Sequence, residues 1–209
     1  MLLRPPFFYP WLYPSCVWNV QHLPNTVWLT FDDGPYPPLT SFILEQLDRF
    51  NAKACFFCVG SQVEKFPEEY DLIIKQNHLT GNHTHTHIDS WKHPSDKVIQ
   101  DIQHAENFIS SSLYRPPYGL LTRNIQKYTE QKFTSVMWSL LAYDWQSNLS
   151  HYRVLKNITE HVKSGDIIVL HDSKKSEKHI KAILPNLLQT LTMRGFEIRN
   201  PELEILRTK

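Results

Sequence analysis

The sequence predicts an α/β fold built on a mainly parallel sheet, either a barrel or a doubly wound sheet, and three observations carry that prediction. Strand-like runs alternate with helical patterns of roughly ten to fifteen residues, the rhythm of βαβ units. Some runs, DIIVL at 166 to 170 among them, are continuously apolar, as strands covered on both faces are. Residues able to ligate, ionise or orient follow directly after these runs, where the loops of such folds converge on one mouth.

Taken in order, the first twenty residues (MLLRPPFFYPWLYPSCVWNV) are apolar and aromatic, but Pro5, Pro6, Pro10 and Pro14 break every candidate run. No stretch reaches the length of a signal core or a spanning helix. Residues 1–25 read as an irregular arm whose Trp11, Tyr13 and Trp18 pack on a single domain, 26–209. The cytoplasm is favoured on this reading, with a trimmed or unusual export signal as the alternative. Strands are then expected at TVWLTF (26 to 31), ACFFCVG (54 to 60), around HLTG (78 to 81), SLYRPP (112 to 117), KFTSVMWSL (132 to 140), DIIVLHD (166 to 172) and, weakly, FEIRN (196 to 200). Between them, Phe42, Ile43, Leu44 and Leu47 mark a helix ended by Phe50 and Asn51. Ile180, Ile183, Leu184, Leu187, Leu188 and Leu191 recur at three- and four-residue intervals, an amphipathic helix in which Pro185 is expected to mark a kink or a fresh start. There is no internal repeat, low-complexity tract or linker, which keeps the chain to one domain.

In a chain of 209 residues, 22 Lys and Arg nearly cancel 21 Asp and Glu. The overall field therefore gives no reason to expect nucleic acid or an acidic membrane as partner, and there is no basic run to supply a local one. Cys55-Phe56-Phe57-Cys58 has the spacing of a redox pair or half a zinc site. In a strand, however, residues three apart point to opposite faces, so these two read as small buried apolar residues.

The polar groups at the strand ends are Asp32-Asp33-Gly34-Pro35, the histidines of GNHTHTH (81 to 87), Arg115-Pro116-Pro117-Tyr118-Gly119, Tyr143-Asp144-Trp145 and His171-Asp172. Each alone has a bland reading as a turn, a rigid surface loop or a helix cap. Their shared position at five strand ends favours a site. Within GNHTHTH, a continued strand would place His83, His85 and His87 on one face with the outer two roughly 13 Å apart, so that 83 would pair with 85. A helical turn after Gly81 would instead stack His83 and His87 as i and i+4 neighbours about 6 Å apart. A two-histidine clamp needs a further ligand and an open position to do catalysis. Of Asp32 and Asp33, which point in different directions at a strand end, one could ligate while the other stays free as a base.

On these residues the chain resembles the polysaccharide deacetylase family, carbohydrate esterases with a NodB homology domain. The resemblance runs from about Thr26 to about Phe196 through five motifs in order: TFDDGP (30 to 35), HTHTH (83 to 87), RPPYG (115 to 119), DW (144 to 145) and IIVLHD (167 to 172). It implies a distorted, incomplete (β/α) barrel of about seven parallel strands. It further implies that Asp33, His83 and His87 hold a divalent metal, zinc first with cobalt as an alternative, which leaves His85 outside the ligand set. Asp32 would be the base toward the attacking water and His171 the acid toward the departing amine. Arg115 would pair with the base, Asp144 would orient the catalytic histidine, and the Tyr118 N–H would meet the oxyanion. Trp145 and Val169 would line the pocket for the acetyl methyl. The implied substrate is an N-acetylated amino sugar, as polymer, oligomer or precursor, acted on by a protein for which a monomer is favoured.

Two positions depart from the family pattern. Leu141 stands where the fourth motif often carries an additional aspartate, and Val169 is smaller than the leucine common at that place. Two other functions fit the same groove, a catalytically silent carbohydrate-binding relative and an amidohydrolase acting on small cyclic amides. The first has no need to keep an acid, a base and an open metal position together.

Overall fold

The structure, a computed structural model, describes residues 2 to 202 and Leu206. Eight strands form one sheet: β1 (Thr26–Asp32), β2 (Ala54–Cys58), β3 (Leu79–Asn82), β4 (Leu113–Tyr114), β5 (Thr134–Ser135), β6 (Leu140–Leu141), β7 (Ile167–His171) and β8 (Glu197–Ile198). Their order is β5-β4-β3-β2-β1-β7-β6, with β8 pairing beside β1, and every pairing among the described residues is parallel. The helices are α1 (Tyr9–Leu12), α2 (Leu39–Arg49), α3 (Gly60–Lys65), α4 (Pro67–Lys75), α5 (Ser95–Ala105), α6 (Arg123–Lys132), α7 (His151–Thr159) and α8 (Glu177–Met193). The result is a curled, incomplete (β/α) barrel.

The two-residue period of the strands sorts their side chains between two environments. Leu29 and Phe31 of β1, Phe56 and Cys58 of β2 and Ile168 and Leu170 of β7 face outward against α2 and α8, whose Ile43, Leu47, Ile183 and Leu187 are fully buried or nearly so. Trp28, Cys55, Phe57 and Ile167 alternate with them and fill the interior together with Val20, Leu113 and Val136. Cys55 and Cys58 thus sit in different core clusters, both free and buried, and burial raises both thiols above their ordinary range. No disulfide joins them.

Three expectations are corrected here. The run 132–140 is not one strand: it divides into β5 and β6, which lie at opposite edges of the sheet, and the barrel is open between them. The N-terminal arm bonds to both edges. The Val17 N–H donates to Ser135 O (2.8 Å), the Met137 N–H to Val17 O (2.8 Å) and the Leu141 N–H to Leu3 O (2.9 Å), while Arg4 forks onto both carboxylate oxygens of Asp166 (2.7 and 2.8 Å). Trp18 is buried as expected and Tyr13 packs against the same cluster, but Trp11 is 77% exposed. It projects from the single turn of α1 and meets Phe7 edge-on. Helix α8 runs through Pro185 without interruption. No helix among the described residues is long and apolar enough to cross a membrane.

Candidate active site and metal centre

The same alternation that builds the core aims the polar groups. Thr30 and Asp32 continue the inward face of β1 beyond Trp28, and Val169 and His171 continue that of β7 beyond Ile167. Asp32 and His171 are register partners on adjacent strands, so a carboxylate and an imidazole meet at the carboxyl end of the sheet. The chain leaves β1 through Asp33 in a left-handed conformation (φ 77°). Gly34 follows against Asp172, where a Cβ would lie 2.3 Å from a carboxylate oxygen.

Arg115 follows β4 and turns into the interior, where its side chain is 1% exposed. The guanidinium lies over the Phe57 ring, 4.0 Å from its centroid. All three of its nitrogens donate: Nη1 to Asp32 Oδ1 and to Thr30 Oγ1 (both 2.7 Å), Nε to Val136 O (3.1 Å) and Nη2 to Met137 O (2.8 Å). A planar fork fixed at this many points holds the Asp32 carboxylate in one orientation. Thr30 and the two carbonyls are partners that sequence did not single out.

The histidine segment forms a loop in which Thr84 (φ 64°) and His87 (φ 55°) are left-handed, so the helical turn proposed to bring His83 and His87 together is not what does so. Asn82 and Asp101 shape the loop instead. Asn82 Oδ1 accepts the Thr84 N–H (2.8 Å), and Asp101 of α5 accepts the N–H groups of His85 and Thr86 (2.8 and 2.9 Å) and the Thr86 hydroxyl (2.9 Å). The His83 and His87 rings converge with centroids 5.0 Å apart. His85 faces away and stacks on His104 at 3.8 Å.

Asp33 Oδ1 is buried without a hydrogen-bond partner among the described residues, 3.3 Å from His87 Nε2 and 3.8 Å from His83 Nε2. The three donor atoms lie within 4.8 Å of one another, and tetrahedral ligands at zinc distances stand about 3.4 Å apart. His83 Nδ1 is 2.7 Å from Arg115 O, so Nδ1 carries the proton and Nε2 is left as a lone-pair donor. Burial, helped by the neighbouring His87, pushes His83 down to about 3 and keeps it neutral. An orphaned carboxylate oxygen facing two imidazole nitrogens is a donor set that fits a divalent cation.

Across the mouth, Asp144 is fully buried and holds His171 twice, accepting its backbone N–H at 2.7 Å and lying 2.9 Å from Nδ1. Burial opposes the imidazolium, but Asp144, with smaller help from Asp33 and Asp32, outweighs it and raises His171 to about 9. Trp145 packs edge-on against the same ring (4.7 Å). His171 and Trp145 line, with Asp32, Asp33, His83, His87 and Arg115, one cavity of about 720 Å³, whose apolar wall includes Val169, Leu141 and Trp145. Tyr118, at φ 58°, sits on its rim with its side chain largely exposed. The next residue, Gly119 (φ 68°), comes so close to Trp138 that an added Cβ would fall 2.2 Å from the indole. Nine of the ten residues singled out from sequence line this one opening, with Asp144 buried behind His171, while Tyr36, Trp138, Lys174 and Lys175 join them without having been anticipated.

Comparison with known proteins agrees with this architecture. The family model for polysaccharide deacetylase matches residues 19–135. A peptidoglycan-N-acetylglucosamine deacetylase of Bacillus cereus is 30% identical over 200 residues, 92% of this chain and 93% of that protein. A second one from the same organism is 35% identical over 152 residues, 69% of this chain and 55% of its own length. The crystal structure of a peptidoglycan N-acetylglucosamine deacetylase in complex with an N-hydroxybenzamide superposes with a TM-score of 0.80 at 30% identity, covering 94% of this chain and 95% of that one. With one relative matched almost end to end and a barrel of the same form, the chain belongs to the polysaccharide deacetylase family.

Proposed function

We propose that the protein is a metal-dependent hydrolase that removes N-acetyl groups from amino sugars, with Asp32 as base and His171 as acid. The observation that carries this reading is the pairing of Asp32 with His171 across β1 and β7, beside the convergent Asp33, His83 and His87. Relatives named for N-acetylglucosamine deacetylation support the choice of substrate.

Hydrolysis of an acetamide needs a nucleophile, a stabilised oxyanion and a proton for the nitrogen. Asp33, His83 and His87 would hold the cation, zinc in the first instance, which when bound supplies Lewis acidity toward the acetyl carbonyl and toward water. Asp32, fixed by Arg115, accepts a proton as water adds to the carbonyl carbon. The Tyr118 N–H meets the oxygen on which charge develops, an arrangement typically worth about 3 to 4 kcal/mol. Asp144 keeps the His171 imidazole protonated and in one orientation, so that Nε2 can deliver its proton to nitrogen as the carbon–nitrogen bond breaks. Acetate and a free amine leave. Val169, Leu141 and Trp145 enclose the methyl group.

The test is acetate release from N-acetylated mono-, oligo- and polysaccharides before and after complete chelation, with zinc or cobalt added back. Asp32→Asn is expected to keep the metal and lose turnover. Undiminished activity in fully metal-free protein would overturn the reading.

A further inference from the structure

The rim of the catalytic cavity is chemically two-sided. Segments following β4, β5 and β6 contribute Tyr118, Trp138, Leu141 and Trp145, an aromatic and apolar wall. Segments following β2 and β7, the strands that flank β1 in the middle of the sheet order, contribute Lys65, Lys174 and Lys175. Elsewhere Lys92, Lys132, Lys156 and Lys181 pair with carboxylates, while Lys75, Lys97, Lys127, Lys163 and Lys178 stand away from the cavity. The three rim lysines form no ion pair among the described residues.

Carboxylates in the same cavity do not answer these charges. Asp32 is engaged by Arg115, Asp33 faces the two imidazoles, and Asp172 is fully buried with its Oδ2 taken by the Thr40 hydroxyl at 2.6 Å. Lys65 also borders an adjoining hollow lined by Glu68 and Glu69, which offsets part of its field. Lys174 and Lys175, adjacent and exposed, therefore carry most of it. Since the chain as a whole has a formal charge of only +1, this field is local to the opening.

We infer that the glycan accepted here bears a negative substituent, a carboxylate or a phosphate ester, close to the sugar that loses its acetyl group, and that Lys174 and Lys175, with a lesser share from Lys65, bind it. The inference rests on the deacetylase reading and narrows its substrate class. Exposed ammonium groups act through a screened field, so they set capture of the substrate and not the chemical step.

Three N-acetylglucosamine oligomers of equal length, one neutral, one carboxymethylated and one phosphorylated, separate the cases. The expected result is a lower KM for a charged oligomer, an advantage that shrinks as salt rises. In a Lys174→Gln, Lys175→Gln protein, KM for the charged oligomer should rise on the order of tenfold more than for the neutral one, with the change falling in KM and not in kcat. The charged oligomer with the lower KM identifies carboxylate or phosphate as the group read. Equal KM values for all three, or a loss in the double variant that is the same on neutral and charged oligomers, would overturn the inference. Calorimetric binding of the same oligomers to Asp32→Asn protein reads the charge preference without turnover. A charge preference there with no acetate released by the wild type would sink the deacetylase reading alone.

Discussion

Asp144 and His171 are joined by two hydrogen bonds from one carboxylate, to the backbone N–H at 2.7 Å and to Nδ1 at 2.9 Å. The first fixes where the residue sits and the second fixes its proton. In metal-free protein the imidazole should titrate near 9 by NMR, well above an ordinary histidine at about 6.5. Because the folded value is raised, the stabilisation is fully present below about pH 6.5 and is lost as pH climbs through about 9. Asp144→Asn should bring the titration down and lower kcat by on the order of a hundredfold or more. An unchanged titration in that variant would refute the coupling.

Arg115 is a cation that cannot be removed alone. Arg115→Met leaves Asp32 buried without its partner and strips donors from Thr30, Val136 and Met137. Loss of one member of a buried pair costs about 3 to 5 kcal/mol, and the expected fall in Tm is on the order of 10 °C. Arg115→Lys should lie between, since it keeps the charge but not the fork. Calorimetry of the three proteins decides, and equal Tm values would contradict the assignment.

The histidine loop makes a distinction that metal analysis can read directly. His87→Ala and His83→Ala should each lose most of the metal retained after dialysis, whereas His85→Gln should keep roughly one ion per chain. His85 stacks on His104 and Phe108, so its replacement should lower Tm without emptying the centre. Metal loss from His85→Gln equal to that from His87→Ala would be inconsistent with the loop as described.

His78 provides a separate acid-sensitive point. Its Nδ1 accepts the Ala54 N–H at 3.2 Å, and burial, with Lys53 nearby, holds it down to about 4. The unfolded chain takes up that proton first, so the stabilisation present above about pH 6.5 drains away as pH falls through about 4. Urea midpoints measured across this interval should decline in the wild type and less steeply in His78→Asn, whose side-chain oxygen can still accept from Ala54. Identical slopes in the two proteins would exclude the role.

What sequence conveys about this molecule divides along a physical line. β1, β2 and β7 are legible because each is covered on both faces and so must be apolar throughout, and the polar residues that end β1 and β7 are then conspicuous. The split of 132–140 into β5 and β6 is not legible: an apolar run of that length suits one strand, and the bonds that let it part come from residues distant in sequence, Val17 and Leu3 of the arm together with Tyr114 and Ile167. The approach of His83 to His87 is hidden for a similar reason. Left-handed Thr84 and His87 have no local signature of the kind glycine gives, and Asp101, which pins the loop, lies on α5. The lysines of the rim were invisible because a pair of adjacent cations says nothing until the fold places it at an opening.

The seam bridged by the N-terminal arm has a kinetic consequence. Arg4 and Asp166 are separated by 162 positions, so the segment around Arg4 cannot be seated until that whole intervening length has been made. Contacts of such long range close late, after local helices and neighbouring strands have assembled. Until then the free borders of the half-finished cylinder expose unpaired amides and carbonyls, a stage at which association with other nascent copies competes with correct closure.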